Sequence, residues 1–299
     1  MFLQQAINGL TVGSVYALIA LGYTMVYGII ELINFAHGEV YMIGAYLGII
    51  FIGFFTAIGL TADHPALALG LTFIASCVFC GAYGATIEKI AYRPLRHAHR
   101  LSPFISALGV SIFLQNYVML TQGAKEKIFP QIINFGSFTI GGATVSWVQV
   151  MILAISAVLM VCLHFFINNT RLGTAMRATA QDKEMAQLVG ININRVISIT
   201  FIIGSILAAA AGVMISMYYT RVYFMDGYIA GMKAFTAAVL GGIGNIPGAM
   251  LGGLCLGIVE SFGAGYISSE YKDVFSFGIL VLILILKPSG LLGEELKEK

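Results

Sequence analysis

The chain is 299 residues long, 59% hydrophobic and only 10% charged, with 35 glycines and a mean hydropathy of +0.90. Soluble domains carry roughly 25% charged residues, so this composition excludes an ordinary soluble protein and points to an all-α polytopic membrane protein. The net charge of +2, from 16 basic and 14 acidic residues, is too small to suggest a nucleic-acid partner.

A membrane span needs about twenty apolar residues. In chain order, candidates fall at 6–30, 36–58, 66–91, 102–121, 147–168, 196–219, 230–244, 248–267 and 274–288. The seventh is short and glycine-rich. The expected count is therefore eight or nine helices, with that element broken or re-entrant. The first run starts almost at Met1 without a basic leader and exceeds twenty residues, so it reads as a retained helix and not a cleaved signal peptide.

The second run opens with INFAHGE, which places Asn34, His37 and Glu39 at its start, and Gly38 would let the backbone break there. Ionisable groups inside spans are costly and are functional candidates by default. Cys77 and Cys80 form a CxxC, but a redox or metal site needs an accessible thiolate that an apolar SCVFC segment does not offer; these two, like Cys162 and Cys255, are expected in helix packing. Glu88 and Lys89 end the third run and can snorkel to the interface. His97 and His99 lie in a basic loop suited to lipid headgroups. Ser102-Pro103 is a helix start, with Ser as cap and Pro at the first helical position. In the 122–146 loop, alternation around Gly141-Gly142 in FTIGGATVSW predicts a small β-hairpin, and Trp147 follows where an interface aromatic belongs.

Eleven Lys and Arg residues (89, 93, 96, 100, 171, 177, 183, 195, 287, 297 and 299) fall on one set of alternate connections, against five (125, 127, 221, 233 and 272) elsewhere. The richer set marks the cytoplasmic side. That places 92–101, 169–195 and the C-terminal tail inside, 122–146 outside, and the N-terminus outside if the span count is odd. Small residues recur four apart at Gly9 and Gly13, Gly44 and Gly48, Gly248 and Gly252, and Gly253 and Gly257, which lets helices approach closely.

The 169–195 loop carries helix signals of its own. Arg171–Ala180 can form one short helix. Asp182 can cap a second, with Glu184 in its first turn, Gly190 at its end and about seven residues between. Met185, Leu188 and Val189 give it one apolar stripe. A helix this short is marginal alone, so it needs a partner surface, either headgroups or a cytoplasmic protein. GGIGNIPG, with Asn245, Pro247 and Gly248, repeats the asparagine-plus-glycine break of INFAHGE, and paired breaks are one pointer to a transport pathway. An ordinary turn between spans is the equally good alternative. Glu260 is the most isolated acid in an apolar run, to be satisfied within the bundle, in a wet cavity or near the outer interface.

Glu184, Ala186 and Gly190, with Met185 between, resemble the EAA-xxx-G loop of ABC importer permeases, which fits a cleft in the ATPase subunit. Segments 22–46, 91–96, 111–118, 231–253 and 270–277 together resemble the shorter, LivH-type permease of the branched-chain amino acid importers. The likeness runs from first span to last in order. It implies one permease unit over 1–299 in the bacterial inner membrane, with a coupling loop at 169–195. Partners would be a second, longer permease, two ATPase subunits and an external binding protein, and the cargo leucine, isoleucine, valine or a related neutral amino acid. Arg177, Asp182, Glu184, Ala186 and Gly190 would couple to the ATPase. Asn34, His37, Glu39, Asn245 and Glu260 would line the pathway. No cofactor or metal is expected on this chain: it has no GxxxxGK[ST] loop, so ATP would be used by the partners. The competing reading is a stand-alone ion-coupled transporter or channel using Glu39 or Glu260. A membrane enzyme is disfavoured by the absence of HExxH, GxSG or a metal-spaced His/Cys cluster.

Overall fold

The computed structural model describes residues 1–96, 98–99, 101–133 and 136–293; His97, Arg100 and the tail with Lys297 and Lys299 lie outside the described residues. In chain order the helices are α1 (Phe2–Ile30), α2 (Ala36–Ala57), α3 (Leu60–Asp63), α4 (Pro65–Ile87), α5 (Leu101–Gln122), α6 (Trp147–Asn169), α7 (Arg171–Gln181), α8 (Lys183–Leu188), α9 (Ile193–Tyr219), α10 (Asp226–Gly241), α11 (Ile246–Tyr266) and α12 (Lys272–Leu286). Strands β1 (Lys127–Ile128), β2 (Ser137–Ile140), β3 (Ala143–Ser146) and β4 (Arg221–Val222) pair antiparallel as β1–β4 and β2–β3.

Seven of these helices are long and apolar enough to cross a membrane: α1, α2, α4 with its continuation to Leu95, α5, α6, α9 and α11. The other two expected segments are α10 and α12, of 16 and 15 residues. At 1.5 Å per residue they reach about 24 Å, short of the ~30 Å hydrocarbon core.

Sequence signals for boundaries mostly hold. Gly141 (φ +57°) and Gly142 (φ +81°) both take left-handed backbone, as a two-residue hairpin turn between twisted strands requires. Ser146 then starts α6 through a reciprocal cap, its hydroxyl accepting from Gln149 N–H (3.3 Å) and Gln149 Oε1 accepting from Ser146 N–H (3.0 Å). Helix α5 begins at Leu101, one residue before the expected Ser102 cap. The second run is continuous through Gly38, so the backbone breaks earlier, over residues 31–35. The break expected in GGIGNIPG is a tight turn in which Asn245 caps α11 by accepting from Gly248 N–H (2.9 Å).

Helix α1 is the most enclosed of the seven. Its antiparallel partner is α11, and they meet through glycine: a Cβ on Gly9 would lie 2.7 Å from Ile258 Cα, and one on Gly13 2.9 Å from Leu254 Cα. Gly253 and Gly257 face the α1 backbone in return. On the other side, α2 packs along α9, with Gly44 against Ala209. The hairpin touches the start of α1, where Thr144 N–H donates to Gln4 Oε1 (2.8 Å). At the opposite, basic end, residues 287–293 fold back on α10, with Leu291 and Leu292 N–H donating to the carbonyls of Leu240 (2.8 Å) and Gly241 (3.0 Å).

The helices α2 and α10 meet N-terminus to N-terminus. Gly38 lies against Gly231, where a Cβ would come within 2.8 Å of the Gly231 Cα, and Gly227 faces Glu39 and Met42. His37 reaches Gly204, the twelfth residue of the 27-residue α9, so this junction sits roughly 16 Å along α9 from its start. Both helices therefore begin inside the bundle.

Gly253→Val should disrupt the α1–α11 crossing, since the new side chain meets the backbone of Ala17 and overpacking typically costs about 1–3 kcal/mol or more. Gly53→Val, where a Cβ meets nothing within 4 Å, is the matched control. Thermal midpoints in detergent should fall for the first and stay unchanged for the second.

Candidate functional site

At the basic end, α7 and α8 form a capped helical pair. Thr170 Oγ1 accepts from Gly173 N–H (3.0 Å) to start α7. Asp182 ends α7 and caps α8, its Oδ1 accepting from Met185 N–H (3.0 Å). Gly190 (φ +88°) then ends α8: its N–H donates to Gln187 O (3.0 Å) and Ile191 N–H to Ala186 O (3.0 Å), the paired bonds that satisfy a helix C-terminus when the following residue is left-handed. Only Ala186 of α8 is buried against the bundle. Met185, Leu188 and Val189 point outward at 61%, 80% and 75% exposure, so the apolar stripe faces away from the protein's own core. Arg177 reaches back to the Asn168 carbonyl (3.3 Å). Between α8, the α1–α2 turn and Arg96 lies a cavity of about 680 Å³, with Glu184 in its wall.

This cavity backs onto a second buried contact. Helix α4 loosens into a π-helical turn at Glu88–Tyr92. Glu88 is buried there and does not snorkel as its sequence position suggests: it is ion-paired to Arg96 and accepts from Ser198 Oγ (2.7 Å) on α9. The reason is that Arg96 and Ser198 satisfy the charge locally, which removes the need to reach water. Burial holds the Arg96 guanidinium below the usual arginine range, with Glu88 acting in the opposite direction. Arg96 also bonds the Asn194 side chain, so the ends of α4 and α9 are tied beside α8.

Of the polar residues expected along a pathway, three come together. Asn34 accepts from Tyr92 Oη (2.7 Å), His37 packs edge-on against Tyr23 with ring centroids 4.9 Å apart, and Glu39 Oε1 accepts from Ser111 Oγ (3.0 Å). Glu39 Oε2 carries no hydrogen bond among the described residues and faces Gly227 at the start of α10. Asn245 stands apart, at the α10–α11 turn, where Nδ2 also donates to Leu292 O (2.7 Å).

Glu260 belongs to a different constellation, which sequence reasoning missed. It accepts from Lys233 Nζ (3.1 Å), Lys272 Nζ (2.9 Å), Tyr16 Oη (3.2 Å) and Ser276 Oγ (2.9 Å), and Lys233 Nζ also meets Asp273 Oδ1 (2.7 Å). Lys233, counted from sequence among the sparser loop charges, is a buried residue of α10. One signal was available: a lysine inside the small-residue run GYIAGMKAFTAAVLGG is an ionisable group within an apolar segment. Cys77 and Cys80 are buried as packing residues, as expected.

Among the described residues, seven long apolar helices pack with α10 and α12 around buried charge, and a capped helix faces outward at one end. The family described as branched-chain amino acid transport system / permease component matches residues 5–284. The chain belongs to this family. Among relatives of the permease, BraD of Pseudomonas aeruginosa, a high-affinity branched-chain amino acid transport system permease protein, is 52% identical over 100% of this chain and 98% of its own. LivH of Escherichia coli strain K12, of the same description, is 50% identical over 100% of this chain and 97% of its own. The solved structure of PsaBC from Streptococcus pneumoniae in complex with Fab covers 97% of the permease and 93% of its own chain at a TM-score of 0.50; at 12% identity this shows the fold alone.

Lys233→Met should lower the thermal midpoint sharply, because removing one partner of a buried ion pair costs roughly 3–5 kcal/mol. The double variant Lys233→Met with Glu260→Gln should lie closer to the unaltered protein than either single variant. A double that is the sum of the singles would show that the two side chains do not act as a pair.

Proposed function

We propose that this chain is the membrane-spanning subunit of a binding-protein-dependent ABC importer, forming half of the translocation pathway for leucine, isoleucine, valine or a related neutral amino acid. Full-length identity to BraD and LivH supports the cargo class. The observation that carries the mechanism is α8: a six-residue helix with a closed cap at each end and its apolar stripe turned outward. Such a helix is not stable alone. It is built to be gripped by another protein.

In this reading the basic end is cytoplasmic, following the Lys/Arg bias, residues 169–195 are the coupling loop and 122–146 an outer loop. The single permease unit makes nine passes, α10 and α12 being the short ones and α2 and α10 the broken pair. The C-terminus is then inside, and the membrane is the bacterial inner membrane. One of two ATPase subunits docks on α7 and α8, a second and longer permease receives the other and completes the pathway, and an external binding protein delivers substrate. The chain is not itself an enzyme, and ATP is bound and hydrolysed by the partners. Closure of the ATPase pushes on the exposed side of α8 at Glu184, Ala186 seats the helix against the bundle, and the rigid caps at Asp182 and Gly190, with Arg177 bracing α7, transmit the push to α9. Its first turns are tied to α4 through Arg96, Glu88 and Ser198. The route follows α10, past the Glu260 cluster and the His37–Glu39 junction, with Asn34 and Asn245 toward its inner edge.

Gly190→Asp, which forces a side chain onto left-handed backbone, and Glu184→Lys should each reduce ATP-driven leucine uptake at least 10-fold in cells. The amount of protein in the membrane should be unchanged. Normal uptake by both variants would sink the coupling assignment.

A further inference from the structure

A cavity of about 250 Å³ opens at the hairpin end between α1, α9, α10 and α12. That is just below the ~300–1,000 Å³ typical of sites for drug-sized ligands, and suits one small molecule. Its walls are of two kinds. Val12, Val15, Ile215 and Ile229 form an aliphatic side, while charged groups of α10 and α12 and the residues preceding them form a polar side.

The charges do not cancel. Around the cavity Lys233 and Lys272 are matched by Glu260 and Asp273, and Arg221 pairs with Glu126. Asp226 remains: among the described residues it forms no ion pair, and it accepts the Tyr223 N–H (2.8 Å). Asp226 is thus the one carboxylate of the cavity wall without an ion-pair partner among the described residues. Lys272 stands on the same wall, its ammonium over the Tyr219 ring at 5.6 Å and more than a third exposed, so it keeps donor capacity beyond its bond to Glu260. A ligand that fits must bring a cation to Asp226, an acceptor to Lys272 and an apolar body to the aliphatic side.

We propose that this cavity is a transit subsite for one zwitterionic aliphatic amino acid. Its ammonium sits at Asp226, its carboxylate at Lys272 and its side chain against Val12, Val15, Ile215 and Ile229. The inference rests on the importer reading above and deepens it: the permease, and not the delivering protein alone, sorts cargo by side-chain size. Because Lys272 and Lys233 share Glu260 Oε1, a carboxylate drawing on Lys272 leaves Glu260 more fully to Lys233, and occupancy is felt at α10. The balance of charge also keeps the subsite weak, since the ligand carboxylate competes with Glu260 for one ammonium.

The test uses the complete importer in proteoliposomes, with the same binding protein throughout, and reads initial uptake of leucine, valine and alanine together with binding-protein-stimulated ATP hydrolysis. Ile229→Phe narrows the aliphatic side and should lower the leucine-to-alanine uptake ratio at least 5-fold, with ATP hydrolysis within about 2-fold of the unaltered importer. Ile229→Ala, which cannot crowd the fold, should move the ratio of valine to leucine in favour of leucine. Uptake by the unaltered importer with ratios unmoved in both variants would overturn the subsite and leave the importer reading standing. No uptake of any of the three by the unaltered importer would overturn both.

Discussion

Lipid gives helices no hydrophobic reason to associate, because its tails are as apolar as leucine. This bundle is therefore held by backbone brought against backbone, and the α1–α11 crossing is the contact on which the rest depends. With glycine on both faces, the helices come close enough for many weak dispersion and Cα–H···O contacts to act together. Everything polar is arranged around that seam. Tyr16, between Gly13 and Ala17 on α1, reaches Glu260 on α11, and Gly22, nearly two turns further along, leaves room for the His37 ring. A bulkier seam would separate the partners of both polar clusters.

The same closeness explains how so much charge stays buried. Moving an ion from water into a bundle costs several kcal/mol unless it is paired with good geometry. Glu260 meets two lysines and two hydroxyls, and Glu88 an arginine and a hydroxyl. One cluster ties α1 to the consecutive helices α10, α11 and α12, and the other ties the end of α4 to the start of α9. They sit near opposite ends of the molecule, so each end has its own specific lock while the α2–α10 junction between them is made of glycine. Charge thus fixes the two ends, and close glycine packing, without ion pairs among the described residues, joins the middle.

Local features were legible in the sequence because their causes are local. Asp182 and Gly190 bracket α8 through backbone bonds within a few residues, and Gly141-Gly142 sets its hairpin by φ alone. Family membership was legible through ordered segments along the whole chain. The shortness of α10 was half legible, in its glycine content. What could not be read was pairing across the bundle. Lys233 and Glu260 are 27 residues apart, and Glu88 and Ser198 are 110 apart. Their meeting depends on the rotation of helices whose faces are almost uniformly apolar. For the same reason Glu88 reads as a snorkelling residue: the sequence shows the apolar run ending, not the arginine folding back to meet it.

The segment after α12 closes the end of α10, supplying Leu291 and Leu292 N–H to carbonyls that the helix itself leaves open, and Asn245 fastens that segment from the next turn. The last described stretch of the chain is thus a cap on another helix. Shortening the protein before residue 291, or hanging a fusion directly on that stretch, acts on α10 from the inside end. The C-terminal side of the molecule is a handle on α10, whatever its distance in sequence suggests.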